Sequence, residues 1–306
     1  MRKLPCYLGA LTGVALSALL VAPASATPTD PLTNMPNGQL TFNLLGATTE
    51  TNTYGNCAGA AGCENTWGVG KLTATTDSGS NTVYASGVLP AGSFLNYIVY
   101  GISDIGSSGT GPFAIDSAGA TTGGPLADGK IHIDVYLDSS SPNLSGGPAA
   151  RTGYGMYPTV SNGSLWLSLV LNPGCDASNP DATLCQNASS TTIPASGDGT
   201  FFASVTGGSA AAAFNNDAYN NGNSDVLGGF HLYDATTPGS NPPFNVAGVC
   251  TNSSSTPGNC FGEVISDPIT TTKVPEPSSL SLMGAGLALL GAATWLRRNK
   301  SAKAAA

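Results

Sequence analysis

The side chains of this sequence that could bind metal, move protons or form covalent bonds are seven cysteines, two histidines and eighteen carboxylates. Cys6 sits in an apolar N-terminal run. The other six fall into three close pairs, Cys57 with Cys63, Cys175 with Cys185 and Cys250 with Cys260, each in a segment rich in Gly, Asn, Ser or Pro. Zinc sites space their cysteines more tightly and usually add histidines. The spacing therefore points to disulfides, and no metal site is expected from the cysteines. An even count fits a disulfide framework provided the chain leaves the cytoplasm. Proximity favours the three local pairings, and closing a loop of about ten residues contributes roughly 2–3 kcal/mol.

The imidazoles are His132 and His231. His132 lies two residues from Asp134 on the polar face of an alternating segment, a spacing that lets a carboxylate orient a base. No nucleophile is placed beside them, so the pair reads as a solvated polar face. Gly-x-Ser-x-Gly, His-Glu-x-x-His and a phosphate-binding glycine loop are all missing from the sequence. Glycoside hydrolysis needs two carboxylates across a cleft, and no spacing among Glu50, Glu64, Glu263 and the aspartates singles out a pair. A non-enzymatic protein is expected, with a secreted hydrolase as the third-ranked alternative.

Residues 217–225 read Asp-Ala-Tyr-Asn-Asn-Gly-Asn-Ser-Asp, with a glycine at the sixth position as in a calcium loop. Tyr219 stands where a third-position oxygen ligand belongs, and no glutamate closes the loop. A polar Asn-Gly turn is the preferred reading. If calcium binds, Asp217, Asn221 and Asp225 are its ligands; otherwise no cofactor is expected. Tyr154 and Tyr157 lie in a glycine-rich segment, and with Trp67 and Trp166 they are the candidate rings for stacking on sugars. The plainer reading is that such rings cover the core.

Charge narrows the partners. Between Thr27 and Val274 there are seventeen acids and four bases (Lys71, Lys130, Arg151 and Lys273), a net charge of −13. Phosphate backbones need a basic surface, so nucleic acid is excluded as a partner. An acidic, polar surface suits an extracellular protein.

The two ends agree with that. Met1-Arg2-Lys3, an apolar run and Ala24-Ser25-Ala26 have the order of a secretory signal peptide, cleaved after Ala26. Near the other end, Val274-Pro275-Glu276-Pro277-Ser278 precedes an apolar stretch over 278–296, then Arg297, Arg298 and Lys300. Nineteen predominantly apolar residues suffice to cross a bilayer as a helix, and the basic cluster orients it with the body outside. This ending resembles the PEP-CTERM sorting signal of Gram-negative bacteria, through Pro275, Glu276, Pro277, the glycines at 284, 286 and 291, and Arg297-Arg298. The resemblance implies processing by an exosortase, a temporary membrane hold, and a final place at the cell surface or in the extracellular matrix, associated with exopolysaccharide and biofilm. It covers about thirty residues and leaves the body's family open.

The elements between the ends must position everything else. Gly and Pro are abundant, charged residues are only 9% of the chain, and turn pairs such as Asp128-Gly129, Asn162-Gly163 and Asn221-Gly222 recur. Strands are expected at 40–45, 67–75, 82–88, 94–102, 130–137, 165–171, 201–205, 226–233 and 261–265, and a short helix within 209–219. The expected fold is all-β, an antiparallel β-sandwich of jelly-roll type with disulfide-pinned loops, plus one C-terminal transmembrane helix. The expected divisions are a signal peptide (1–26), a β-rich extracellular domain (27–269), a linker (270–274) and the sorting signal (275–306). Function then reads as an exported surface or matrix protein, with a carbohydrate-binding adhesin as the second reading. Its partners are the secretion machinery, signal peptidase, an exosortase and extracellular polysaccharide.

Overall fold

The computed structural model describes residues 27–50, 66–106, 115–119, 126, 128–142, 158–186, 196–234, 262–265 and 268–274. Twelve strands form one continuous sheet. The long ones are β1 (Gly38–Glu50), β2 (Thr66–Asp77), β4 (Phe94–Gly106), β9 (Ser196–Gly207) and β10 (Val226–Asp234). Between them come β3 (Thr82–Ala85), β5 (Ile115–Gly119), β6 (His132–Asp138), β7 (Ser164–Asn172) and β8 (Leu184–Gln186). Among the described residues, the last two strands are β11 (Gly262–Ile265) and β12 (Pro268–Lys273).

The pairings close on themselves. β1 pairs β2, β2 pairs β4, β4 pairs β6, β6 pairs β7, β7 pairs β9, β9 pairs β10, β10 pairs β12, and β12 returns to β1. Every pair is antiparallel, so this is an eight-stave up-and-down barrel and not the expected sandwich. The strand readings were compatible with both folds. What overturns the sandwich is the β12–β1 ladder, from Gly38↔Lys273 to Asn43↔Pro268, which leaves no second sheet. Toward the other rim, β5 and β8 take the places of β6 and β7 between β4 and β9, and β11 takes that of β12. Register shifts at Asn43/Leu44, Val135/Tyr136 and Ser168/Leu169 supply the bulges that curve a sheet toward closure.

Two further expectations change. Residues 270–274, read as a linker, are mostly β12: Ile269 and Thr271 are buried and complete the barrel wall. β5 and β8 lie where loops were expected. Among the described residues, no helix is long and apolar enough to cross a membrane; the stretch 278–296 lies outside them. The short helix expected within 209–219 is α2 (Ala211–Phe214); α1 (Pro158–Ser161) precedes β7.

Alternation along the strands fills the interior. Leu40, Phe42, Leu95, Tyr97, Ile133, Val135, Leu137, Leu167, Leu169, Phe201, Ala203 and Val226 belong to one buried cluster. A cavity of about 30 Å³ lies among Phe42, Trp166, Leu169, Val226 and Ile269, about the room one water needs. The barrel is a packed core and not a channel. Two large rings fit because glycines face them: a Cβ on Gly46 or Gly70 would collide with Tyr97, and one on Gly228 with Phe201.

The rim where β12 ends is plugged by the N-terminal segment. A 3-10 turn, Pro31–Asn34, buries Leu32, and Met35 is buried just after it. The Asp30 carboxylate accepts from Leu32 N–H at 2.9 Å and from the Trp166 indole N–H at 2.8 Å. Trp166, Phe42 and Phe214 meet edge to face, with centroids 5.7–6.4 Å apart. Lys273 donates its ammonium protons to the carbonyls of Leu32 and Met35, at 2.9 and 2.6 Å.

The Tyr97 hydroxyl is buried without a hydrogen-bond partner among the described residues, and such a group costs about 1–3 kcal/mol. Tyr97→Phe is expected to leave the urea midpoint unchanged or raised. Gly228→Val, which forces a side chain into the Phe201 ring, is expected to lower stability by about 1–3 kcal/mol or more. A Tyr97→Phe variant clearly less stable than the parent would contradict this packing.

Candidate functional site

The densest group of polar side chains lies on the outside of the barrel, across β4, β6 and β7. The alternation that sends Ile133, Val135 and Leu137 inward sends His132, Asp134 and Tyr136 outward. All seven residues of β6 are nevertheless buried, with His132 2% and Asp134 3% exposed. The expected solvated face is therefore a second buried layer. Val69, Ile98, Tyr100, Tyr136 and Val160 form its apolar part, with α1 lying against β4.

Within that layer the registers Ile98↔Asp134 and Asp134↔Ser168 bring three strands to one carboxylate. Asp134 Oδ1 accepts from the Ser168 hydroxyl at 2.6 Å, and Oδ2 from the Tyr100 hydroxyl at 3.1 Å. Thr206 donates its hydroxyl to the Ser168 carbonyl at 3.2 Å. The His132 ring stacks on Tyr100, centroids 5.2 Å apart, and its Nε2 lies 2.8 Å from Asp128 Oδ1. The carboxylate beside His132 is thus Asp128, on the preceding turn, and not Asp134. Ser168 donates to a carboxylate and not to an imidazole, so these groups do not assemble a serine–histidine relay. Tyr100, Ser168, Asp128 and Thr206 were not legible as site residues. Nothing in the strand alternation marks a polar outer face that will be covered.

Burial controls the proton affinities here. It pushes the Asp134 carboxyl above its ordinary range, against the opposing hydrogen bonds from Ser168 and Tyr100. It pushes the Tyr136 phenol up to about 12, helped by the Asp134 charge, and the Tyr100 phenol higher still, for the same two reasons. Burial also raises Asp128, but the hydrogen bond and charge of His132 outweigh it and hold Asp128 below the usual value.

The 217–225 segment is organised around Asp225. This carboxylate is 1% exposed. Its Oδ2 accepts from Val205 N–H at 2.7 Å, and its Oδ1 from the backbone N–H groups of Asn216 and Asp217, the latter at 2.7 Å. Asp217 and Asn221 lie at exposed positions with φ of +52° and +56°. Asp225 thus faces backbone donors, while the other two candidate calcium ligands face solvent. Among the described residues, no three His, Cys, Asp or Glu side chains gather as metal ligands.

The remaining candidates divide by position. Trp166 is fully buried beside Phe42 and Phe214, so its ring offers no face to a sugar. Trp67 lies in β2 opposite Thr49, and His231 in β10 opposite Asp198. Cys175 and Cys185 are joined by a disulfide, Cα atoms 5.9 Å apart. Tyr154, Tyr157, Cys57, Cys63, Cys250, Cys260, Ala24, Ala26, Pro275, Glu276, Pro277, Arg297 and Arg298 lie outside the described residues.

A family model described as the PEP-CTERM protein-sorting motif matches residues 273–298. The chain therefore carries that motif, which marks it for exosortase-dependent export to the cell surface. The match covers the tail and none of the barrel before Lys273. Comparison with curated proteins and with solved structures finds no match.

Two outcomes test this description. Asp225→Ala removes a carboxylate that serves three backbone donors and is expected to cost at least about 3 kcal/mol, since each bond to a charged group contributes about 1.5–3. Added calcium is expected to leave the parent's melting temperature unchanged. The second outcome concerns Asp134. An acid whose folded pKa lies above its unfolded value binds more protons when folded, so stability falls as pH rises through that interval. Urea unfolding of the parent minus that of Asp134→Asn, followed from neutral pH down through the carboxylate range, is expected to show the parent gaining stability as pH falls. A flat difference would mean that Asp134 is ionised at no cost, and one that runs the other way that the fold favours its ionised form; either outcome contradicts this description.

Proposed function

We propose that this chain is an exosortase-processed protein of the cell surface or extracellular matrix whose barrel is non-enzymatic and associates with exopolysaccharide. The observation that carries the reading is the position of the sorting motif. The match begins at Lys273, the last residue of the strand that closes the barrel, so a finished, rigid domain stands directly before the Pro275-Glu276-Pro277 segment. On this reading signal peptidase cuts after Ala26, the tail holds the protein at the inner membrane for a time, and an exosortase then removes it. The barrel's chemistry is in keeping with a display or matrix role. Its acidic groups are taken up by internal hydrogen bonds at Asp30, Asp134 and Asp225, and its net charge of −13 over 27–274 keeps it soluble and away from anionic surfaces.

The second reading is a carbohydrate-binding adhesin, whose main task is attachment through a saccharide, whereas the first needs only association with the surrounding matrix.

Intact mass and C-terminal peptide mapping of the protein taken from its native surface test the sorting half. A chain that begins near Thr27, ends near Pro275-Glu276-Pro277 and lacks Trp295 is expected. A mature chain that still carries Arg297 and Arg298 would sink exosortase processing. Co-sedimentation of the exported protein with exopolysaccharide purified from the same cells tests the association half. Protein that stays in the supernatant at every polysaccharide concentration would overturn it.

A further inference from the structure

Two staves of the barrel are interrupted side by side. β5 ends at Gly119 and β6 begins at His132, while β7 ends at Asn172 and β8 begins at Leu184. Because β5 pairs β8 and β6 pairs β7, the two breaks adjoin in the wall, and a recess of about 290 Å³ opens there. Ile131 and Leu171 line it and belong to the buried core. Leu171 N–H donates to the Ile131 carbonyl at 2.9 Å, which ties the two breaks together at this level of the wall. Pro173 and Pro180 extend the apolar surface, and Lys130, Asp181 and Thr183 add an ammonium, a carboxylate and a hydroxyl.

Described residues on both sides are held by local bonds and close packing. The 173–183 excursion is fixed by the Cys175–Cys185 disulfide, by Gly174 N–H donating to the Ala182 carbonyl at 3.2 Å, and by Ser178 N–H and hydroxyl on the Asp176 carboxylate. Across the recess, Lys130 N–H donates to Asp128 at 3.1 Å, and Gly119 packs so closely on Gly129 that a Cβ would strike its carbonyl. The recess is thus preorganised, which lowers the cost of binding.

We propose that this recess binds one neutral sugar residue, a reading that rests on the polysaccharide association above for the source of that sugar. The volume equals about ten waters, room for one sugar ring and its hydroxyls. The exposed ring surfaces of Pro173 and Pro180 beside a few polar groups match a pyranose, which has C–H faces and a hydroxyl edge. Lys130 and Asp181 are exposed, so their attraction for an ion is screened by water. They act instead as a charged donor and a charged acceptor toward neutral hydroxyls, the stronger kind of hydrogen bond. The net charge of −13 on the body repels an anionic sugar and favours a neutral one.

The test is calorimetric titration of the exported protein with D-glucose, D-galactose, N-acetyl-D-glucosamine and D-glucuronate. It is repeated with Asp181→Asn and Lys130→Met, whose exposed positions leave the melting temperature in place. At least one neutral sugar is expected to bind with Kd on the order of millimolar, about tenfold more weakly in either variant, and more tightly than glucuronate. No binding by any neutral sugar, equal binding by parent and both variants, or preference for glucuronate over glucose overturns the inference. Co-sedimentation separates the two readings. If parent and both variants co-sediment equally with purified exopolysaccharide, the recess is not the contact and the association stands. If neutral sugars bind at the recess but the parent does not co-sediment, the recess stands and the association falls.

Discussion

The ladder between β1 and β12 is the constraint on which this structure rests. Without it and the β1–β11 ladder that continues it, the other strands would form one long curled sheet with two unpaired edges, and an unpaired edge exposes a row of backbone donors and acceptors. With it, the inward side chains of eight staves face one another across a space that they fill. Lys273 reinforces the closure from the side. Its ammonium binds the carbonyls of Leu32 and Met35, so the strand that closes the wall also fastens the plug over its rim. Asp30 does the same from the plug outward, through the Trp166 indole.

The outer face shows how far a barrel of this kind departs from a simple inside–outside division. Asp134 is covered yet carries hydrogen bonds from Ser168 and Tyr100. Losing one partner of a buried, hydrogen-bonded charge costs far more than the net contribution of the pair. The three strands that meet at Asp134 are therefore bound to one register. A slip by one residue would turn the carboxylate inward among leucines. Asp225 plays a comparable part where the chain turns from α2 into β10, drawing Val205, Asn216 and Asp217 to one point.

Much of the strand content was legible in the sequence, because inward-facing Leu, Ile and Val alternate with polar residues along β1, β6 and β7. What alternation does not encode is which strand meets which. A sandwich and a barrel place the same side chains in the core, and only the partner of β12 decides between them. β12 itself was hidden because Thr270-Thr271-Thr272 looks polar, although Thr271 is buried with its hydroxyl on the Asp225 carbonyl. β5 and β8 are too short to show a period. Of the candidate sites, the Cys175–Cys185 spacing and the sorting motif could be read directly. The Asp134 cluster and the wall recess could not, because both arise where strands distant in sequence come side by side.

The closing strand lies at the far end of the described chain from its partner, and this bears on how the protein folds during export. Residues are exported in order, so β1 emerges first and must wait for β11 and β12 before its outer edge is paired. Contacts between residues so far apart carry a high loop-closure entropy and make folding slow. Until Lys273 arrives the barrel is an open sheet with its Leu and Val surface accessible, a form prone to association with other chains. The sorting motif begins where that interval ends, so the tail becomes available only when the last stave is ready to dock.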